Sequence, residues 1–389
     1  MLRFLTAGES HGKGLSIIIE GMPAGVPLSE DGIAVDLARR QKGYGRGRRQ
    51  KIEQDRAEIV SGVRHGVTLG SPIALSIQNR DWVNWTDVMS VEPTDVPYDK
   101  VTRLRPGHAD LAGSVKYDFD DVRNVLERAS ARETAARVAA GGVAKALLAE
   151  FGMRFRSHTV RIGSVLAEPP PDIDWDAVEE SPVRCADTAA GERMVAAIDE
   201  ARNAGNTLGG IVEGRVEQVP IGLGSHVHWD RKVDGLLAQA LMSIHSVKGV
   251  EIGGGFGLTT LTGAEVHDVI LPREQWTDAP WSRATNNAGG TEGGISDGQD
   301  IVVRVALKPI ATLPRSLPSA DLMTGEEIAA HYERSDVCVV PAAGVIVEAM
   351  CALVLAKAAL EKFGGDSIGE TLRNFHAFQA TTGPRKLRE

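Results

Sequence analysis

The stretch from Pro341 to Leu360 constrains this chain most: it is almost wholly apolar, carries only Glu348 and Lys357 as charges, and is followed by Gly364 and Gly365. A helix over Val345 to Phe363 is apolar on most sides, so it must be covered on most sides. Its internal charges and glycine stop read as a core helix rather than a membrane span. Covering such a helix takes protein layers on opposite faces. A chain of 389 residues with 42% hydrophobic and 24% charged residues can supply them, within one large domain or two or three ordinary ones.

Three segments read as strands that follow glycines: GSPIALSIQN (70–79), GGIVEGRVEQV (209–219) and DGQDIVVRVALKP (297–309). In the second, Val212, Gly214 and Val216 alternate with Glu213, Arg215 and Glu217, which predicts one buried and one solvated face. The recurrence points to two related sheet units. Helical spacing predicts helices over Asp31–Gln41, Ser130–Phe151, Asp230–Val247, Thr324–Glu333 and Val345–Phe363. Ser130 with Glu133, and Thr324 with Glu327, have the spacing of capping boxes. The Pro- and acid-rich segment 165–195 reads as a surface excursion. With no clean linker, the expected architecture is a single α+β domain over 1–389, a β-α-β sandwich with long core helices between two antiparallel sheets.

Against a net charge of −9, the tract RRQKGYGRGRRQK (39–51) holds seven cations and no acid. Its glycines break helical structure and let the arginines project from an adaptable loop. Arginine forks suit carboxylate and phosphate, so the loop fits a small polyanion. The plain alternative is a solvated basic patch. The tract is neither a Walker loop nor a dinucleotide fingerprint. The acidic chain as a whole argues against general nucleic-acid binding, and Tyr44 is the tract's only aromatic, which disfavours base stacking.

Other segments carry chemistry-bearing side chains. His11 lies in TAGESHG (6–12), a turn after an apolar strand, where it is either an idle turn residue or a general acid whose pKa Glu9 raises. His108 lies in RLRPGHADLAG (103–113) beside Arg103 and Arg105, which bias it toward the neutral form; it is a proton exchanger or part of an ordinary exposed turn. The helix start at Ser130, flanked by Arg128 and Arg132, is an anion site or simply a well-capped helix. NNAGGTEGGISDGQ (286–299) admits a flat ligand or is a surface loop. Asp336, with Arg334, opens the apolar helix as a base or as its cap. Metal-ligand spacing is lacking, and Cys185, Cys338 and Cys351 form no CxxC pair. The N-terminus has no apolar signal region, so a cytoplasmic location with no membrane is expected.

In this order, TAGESHG, GYGRGRRQKIE, RPGHADLAGSVKY, RASARETAARVAAG, KGVEIGGGF, NNAGGTEGGISDGQ, KPIAT and RSDVCVVPAAG resemble the chorismate synthase family, in an actinobacterial style, across nearly the whole chain. The resemblance implies the fold given above, a homotetramer, and conversion of 5-enolpyruvylshikimate 3-phosphate to chorismate. That reaction is an anti-1,4-elimination of phosphate that needs reduced FMN without net redox change. By resemblance, Arg40, Arg46 and Arg49 bind the substrate, helped by Arg105, Arg132 and Arg334, with Arg40 and Arg46 also linked to NADPH. His11 protonates the departing phosphate, His108 lies over the flavin and gives it a proton, and Asp336 works with flavin N5 on the ring hydrogen. FMN is held by Arg128, Ala129, Ser130, His245, Ser246, Gly293, Lys308, Pro309, Ile310, Ala311, Thr312 and Arg334.

Three departures from the family pattern stand out. Ala129 replaces a serine, Asp297 stands where asparagine is frequent, and Ser335 and Val337 replace the familiar neighbours of Asp336. The first removes one expected hydroxyl contact to FMN. No NADPH fingerprint is present, so an external flavin reductase is the expected electron source, with NADPH as an indirect reductant. The rival reading is a non-catalytic anion- or RNA-binding module built on the cationic tract.

Overall fold

The computed structural model describes residues 2–47, 54–277, 280–333 and 336–385. Arg49 and Arg334, both expected at the site, lie outside the described residues, as do Arg48, Lys51 and Ser335.

Two antiparallel sheets form the outer layers. The first runs β1 (Arg3–Ala7), β2 (Gly14–Glu20), β6 (Ile73–Gln78) and β3 (Ala57–Ser61). Two short strands, β4 (Val63–Arg64) and β5 (Val67–Thr68), pair beside it. The second sheet is ordered β10 (Val247–Ile252), β13 (Ile301–Leu307), β9 (Gly210–Glu217), β7 (Arg154–Ile162) and β8 (Val165–Leu166). Two further hairpins are β11 (Thr291–Glu292) with β12 (Ile295–Ser296), and β14 (Pro318–Ala320) with β15 (Glu327–Ala329). Segment 70–79 thus belongs to one sheet, whereas 209–219 and 297–309 are neighbours in the other, so the three do not mark two equivalent units.

Helices α1 (Glu30–Gln41), α4 (Thr134–Ala149), α7 (Val233–Met242) and α9 (Val340–Phe363) pack between the sheets. Leu15, Ile17, Ile19, Ile73, Leu75 and Ile77 close the core from one side, and Val212, Val216, Ile301, Val303 and Val305 from the other. The most apolar window of α9 has mean hydropathy 2.0 and is 89% buried, so its covering is protein. At Gly141 a Cβ would lie 2.3 Å from the Cβ of Ala349, so α4 and α9 meet backbone against backbone. The remaining helices are α2 (Asp110–Tyr117), α3 (Arg123–Leu126), α5 (Trp175–Glu180), α6 (Thr188–Asn203), α8 (Gly263–Val266) and α10 (Ile368–Gln379). A satellite apolar cluster of Val101, Leu104, Val122 and Leu126 seats the segment between them that carries His108.

Several local expectations need correction. Residues 324–333 form no helix. Asp321 Oδ1 accepts from the Met323 and Thr324 N–H groups, Gly325 turns at φ +73°, and Glu327–Ala329 continues as a strand. Ser130 caps a 3₁₀ turn, Ala131–Glu133, that precedes α4, so α4 itself starts at Thr134; Glu133 does not complete the box, because its carboxylate bonds Thr6 and Arg137 instead. The third helix is shorter than 230–247, with a 3₁₀ turn before it and strand β10 after it. Segment 165–195 is no mere excursion: Val178, Val183, Ala190 and Met194 are buried. Nor is the polar side of β9 wholly solvated. Glu213 is 5% exposed. Its burial alone would raise the carboxyl, but His158 and Arg304 outweigh this and hold it at about 2.

Glu348 is the buried charged exception inside α9, and it is the centre of a network. Its carboxylate accepts from Arg39 Nη1 and Nη2 (both 2.8 Å), Lys145 Nζ (2.7 Å) and Ser157 Oγ (2.6 Å). Asp36 and Glu179 share Arg39, and Arg184 pairs with Glu179. Three cations therefore meet three carboxylates. Burial pushes the Glu348 carboxyl up, yet Lys145 and Arg39 override it and hold it far below the ordinary range. A depressed pKa stabilises the fold above the unfolded carboxyl's pKa and is lost on acidification. Replacing Glu348 by alanine strands buried cations and is expected to cost about 3–5 kcal/mol in urea unfolding; a loss under about 1 kcal/mol contradicts this account.

Candidate active site

His11 sits in the turn between β1 and β2. Asn79, at the end of β6, fixes that turn: its Nδ2 donates to the carbonyls of Glu9 (3.1 Å), Ser10 (3.3 Å) and Gly12 (2.8 Å). The ring's partner is Glu127 rather than Glu9. His11 Nδ1 lies 2.9 and 3.0 Å from the two Glu127 carboxylate oxygens, and the His11 N–H donates to Glu127 Oε2 at 2.8 Å. Ser130 Oγ donates to Ser10 Oγ at 3.1 Å, which joins the helix start to this turn.

Next to it lies a buried group of guanidinium side chains. Arg40 leaves the last turn of α1 and donates to Thr134 Oγ1 (2.9 Å), the Ala131 carbonyl (3.0 Å) and Asp55 (3.3 Å). Arg132 donates to Asn79 Oδ1 (2.9 Å) and to Asp55 (2.5 Å). One carboxylate thus serves two buried arginines. Burial lowers Arg40 to about 10, with Asp55 opposing and Arg46 and Arg132 adding repulsion. Arg46 reaches Asp336 Oδ2 at 3.3 Å, while Asp336 Oδ1 accepts the Gly47 N–H at 2.5 Å. Asp336 is therefore not the cap of α9: the capping position is Val339, and no side chain caps it. Arg39, the first cation of the tract, points away from this group into the Glu348 network, so the tract is not one free loop.

His108 opens the third part. Its Nδ1 lies 2.5 Å from Asp110 Oδ1, and Arg105 binds the same fully buried carboxylate through Nε (2.8 Å) and Nη2 (3.0 Å). Burial would raise Asp110, but hydrogen bonds from His108 and Arg105 outweigh it and hold it at about 2. Arg105 Nη2 also lies 3.1 Å from His108 Nδ1, so all three side chains meet at one point. Residues 308–312 border this loop: Lys308 Nζ donates to the Gly107 carbonyl at 2.9 Å, and Arg105 Nη1 approaches Thr312 Oγ1 at 3.5 Å. Glu333 links the parts. Burial raises its carboxyl, but His331, Arg105 and His11 together lower it. His245 is half-buried and lowered to about 4, chiefly by desolvation; it feels Glu133 in one direction, and Arg137, His108 and Arg128 in the other.

The chain therefore brings together His11, Arg40, Arg46, Arg105, His108, Arg128, Ser130, Arg132, His245, Ser246, residues 308–312 and Asp336, while Ala129 is held through its N–H on the Val125 carbonyl. Gly293 does not join them by any described contact. It turns the β11–β12 hairpin, whose Gly294 carbonyl accepts from Val233 at the start of α7, whereas His245 follows that helix's other end. Ten helical residues span about 15 Å. The reading of the sequence passed over Asp55, Asn79, Asp110, Glu127 and Glu333. Their signal was available only in part: Asn79, Asp110, Glu127 and Glu333 fall in or beside segments singled out for other residues, whereas Asp55 falls in none.

Asp297, the departure noted in the glycine-rich loop, accepts the Gln299 N–H at 2.9 Å and faces Arg283 Nε at 3.8 Å, beyond hydrogen-bond reach. Burial raises its carboxyl despite these neighbours. A raised carboxyl pKa costs stability once the pH exceeds the unfolded value of about 4. Asp297→Asn is therefore expected to melt above wild type at pH 8, with the gain vanishing near pH 4; equal melting at pH 8 contradicts this.

The family model for chorismate synthase matches residues 2–360. A chorismate synthase of Symbiobacterium thermophilum is 58% identical over 97% of this chain and 98% of its own length. One from Clavibacter michiganensis subsp. michiganensis is 55% identical over 97% and 93%. A solved crystal structure of chorismate synthase superimposes with TM-score 0.78 at 45% identity, covering 97% of each chain. On the match along its length, and with a solved member sharing its fold, the chain belongs to the chorismate synthase family.

Proposed function

We propose that the chain is a carbon–oxygen lyase acting on phosphate: it eliminates phosphate from 5-enolpyruvylshikimate 3-phosphate to give chorismate, the last step of the shikimate pathway, with reduced FMN. The observation that carries this is the meeting of buried arginines with two histidines, each held by a buried carboxylate. A substrate with one phosphate and two carboxylates suits Arg40, Arg46, Arg105 and Arg132, and binding exchanges solvent for fixed forks.

The residues fit the flavin. His245 Nδ1 is buried with no hydrogen-bond partner among the described residues, as an unfilled polar contact would be. Lys308 and Arg128 supply cations, and Ser130 and Thr312 supply hydroxyls, for a phosphorylated cofactor. These residues, with Ser246 and the 309–311 backbone, would hold FMN. When bound, reduced FMN supplies the electron density that stabilises charge as phosphate departs.

The chain's own residues move the protons. His11, with Nδ1 committed to Glu127, gives its proton from Nε2 to the leaving phosphate as the C–O electron pair departs with it. His108, with Nδ1 committed to Asp110, exchanges protons through Nε2. Asp336, oriented by Gly47 and Arg46, accepts the proton released from the ring. A non-catalytic RNA-binding module is the weaker reading, because Arg39 and Arg40 turn into the protein. We further infer a cytoplasmic homotetramer of single-domain subunits.

Anaerobic mixing with FMN, a reductant and substrate is expected to release phosphate and raise chorismate absorbance; neither signal appearing overturns the proposal. His108→Ala and Asp336→Ala should each lower kcat by roughly 10²–10⁴-fold while substrate binding changes little. Loss of binding with turnover of bound substrate intact contradicts those roles. Electrons come from an external flavin reductase, so NADPH alone in air should give no turnover, and turnover under those conditions rejects this.

A further inference from the structure

His11 is held by more than Glu127. The ring of Trp85 stacks on it with centroids 4.0 Å apart and planes at 28°. Trp85 in turn carries the Arg123 guanidinium 5.2 Å from its ring centroid. Arg123 Nη1 then donates to Glu127 Oε1 at 3.1 Å, one helical turn along the chain. Four side chains thus close a ring: histidine, carboxylate, guanidinium, indole. They come from three separate parts of the chain. His11 is in the β1–β2 turn, Trp85 follows the 3₁₀ turn Arg80–Asn84, and Arg123 and Glu127 bracket α3. Trp85 is itself fixed through Nε1, which donates to Asp81 at 3.1 Å.

Each contact removes a different freedom of the imidazole. Glu127 is 2% exposed and receives both the backbone N–H and Nδ1 of His11, which sets the ring's direction and its tautomer. The indole face stops the ring from flipping out of plane. Arg123 supplies the carboxylate's counter-charge and keeps Glu127 from rotating away, while its cation rests on the indole that covers the histidine.

We propose that Glu127, Arg123 and Trp85 are positioning residues that lock His11 as the Nδ1–H tautomer, so that its proton traffic passes through Nε2. The assignment rests on the reading of His11 as the donor to the leaving phosphate. When the imidazolium gives up its Nε2 proton, the neutral ring left behind carries its hydrogen on Nδ1. That is the form Glu127 binds. The carboxylate therefore favours the state that exists after transfer as well as the state before it, and no proton need move on the Glu127 side.

The test uses the full chain labelled with ¹⁵N-histidine, with His11 assigned by the signal missing in His11→Asn. In the wild type, neutral His11 should show a protonated-type Nδ1 shift and an unprotonated-type Nε2 shift. Glu127→Ala should reverse the two, and Glu127→Gln, which keeps an acceptor oxygen, should restore the wild-type pattern. An unchanged pattern in Glu127→Ala overturns the proposal. If that variant does not fold, Arg123→Ala and Trp85→Ala carry the test: each should broaden or mix the two tautomer signals, and sharp wild-type signals in both overturn it. In turnover, Glu127→Ala should lower kcat by roughly 10- to 100-fold at unchanged KM, and Trp85→Phe should recover most of the loss seen in Trp85→Ala. A KM effect alone counts against positioning. The nitrogen shifts need neither substrate nor flavin, so a failure of the proposed reaction in the wild type leaves this arm decisive.

Discussion

The geometry of the whole molecule depends on one carboxylate, Glu348, the one charged side chain of α9 that is buried. It gathers Arg39 from α1, Lys145 from α4 and Ser157 from β7, and it draws Glu179 and Arg184 in behind Arg39. Helix layer and sheet layer are thereby joined by charge as well as by apolar contact. A lone buried ion pair is a doubtful source of stability, but a balanced network specifies one arrangement against others. Here the arrangement has a visible product. With Arg39 tied to the core, its neighbour Arg40 leaves the same helical turn in another direction, toward Asp55 and Thr134.

The candidate site repeats that device at smaller scale. Glu127 serves His11, Asp110 serves His108 and Arg105, Asp55 serves Arg40 and Arg132, and Asp336 serves Arg46. Four acids, each set by a different segment of the chain, thus hold two histidines and four arginines. Groups oriented in this way need little rearrangement when charge develops nearby, and preorganised electrostatics of this kind supply much of an enzyme's rate.

Much of this was legible in the sequence because it rests on local rules. The hydrophobic run of α9 required cover on both sides, and alternation located β6, β9 and β13. The motifs located His11, His108 and Asp336 as well. What was hidden is non-local. Glu127 lies 116 residues from His11, and Glu348 lies 309 from Arg39, so no spacing rule connects them. Glu9 was the natural partner to expect for His11 because it is near in sequence; the turn instead carries the ring toward α3. Thr324 and Glu327 matched a capping pattern, but the preceding Asp321 captured the N–H groups and made a hairpin. Segment 165–195 looked peripheral by composition, although Arg184 and Glu179 complete the central network.

The contact of Gly141 with Ala349 gives the scaffold a mechanical property. Backbones already touching cannot slide or approach further, and at Gly344 a Cβ would come within 2.6 Å of Ser157 Oγ, so α9 is hemmed on a second side. The 3₁₀ turn leading into α4 carries Ser130 and Arg132, and the approach to α9 carries Asp336. The two helices thus act as a stiff spacer of fixed gauge between these groups.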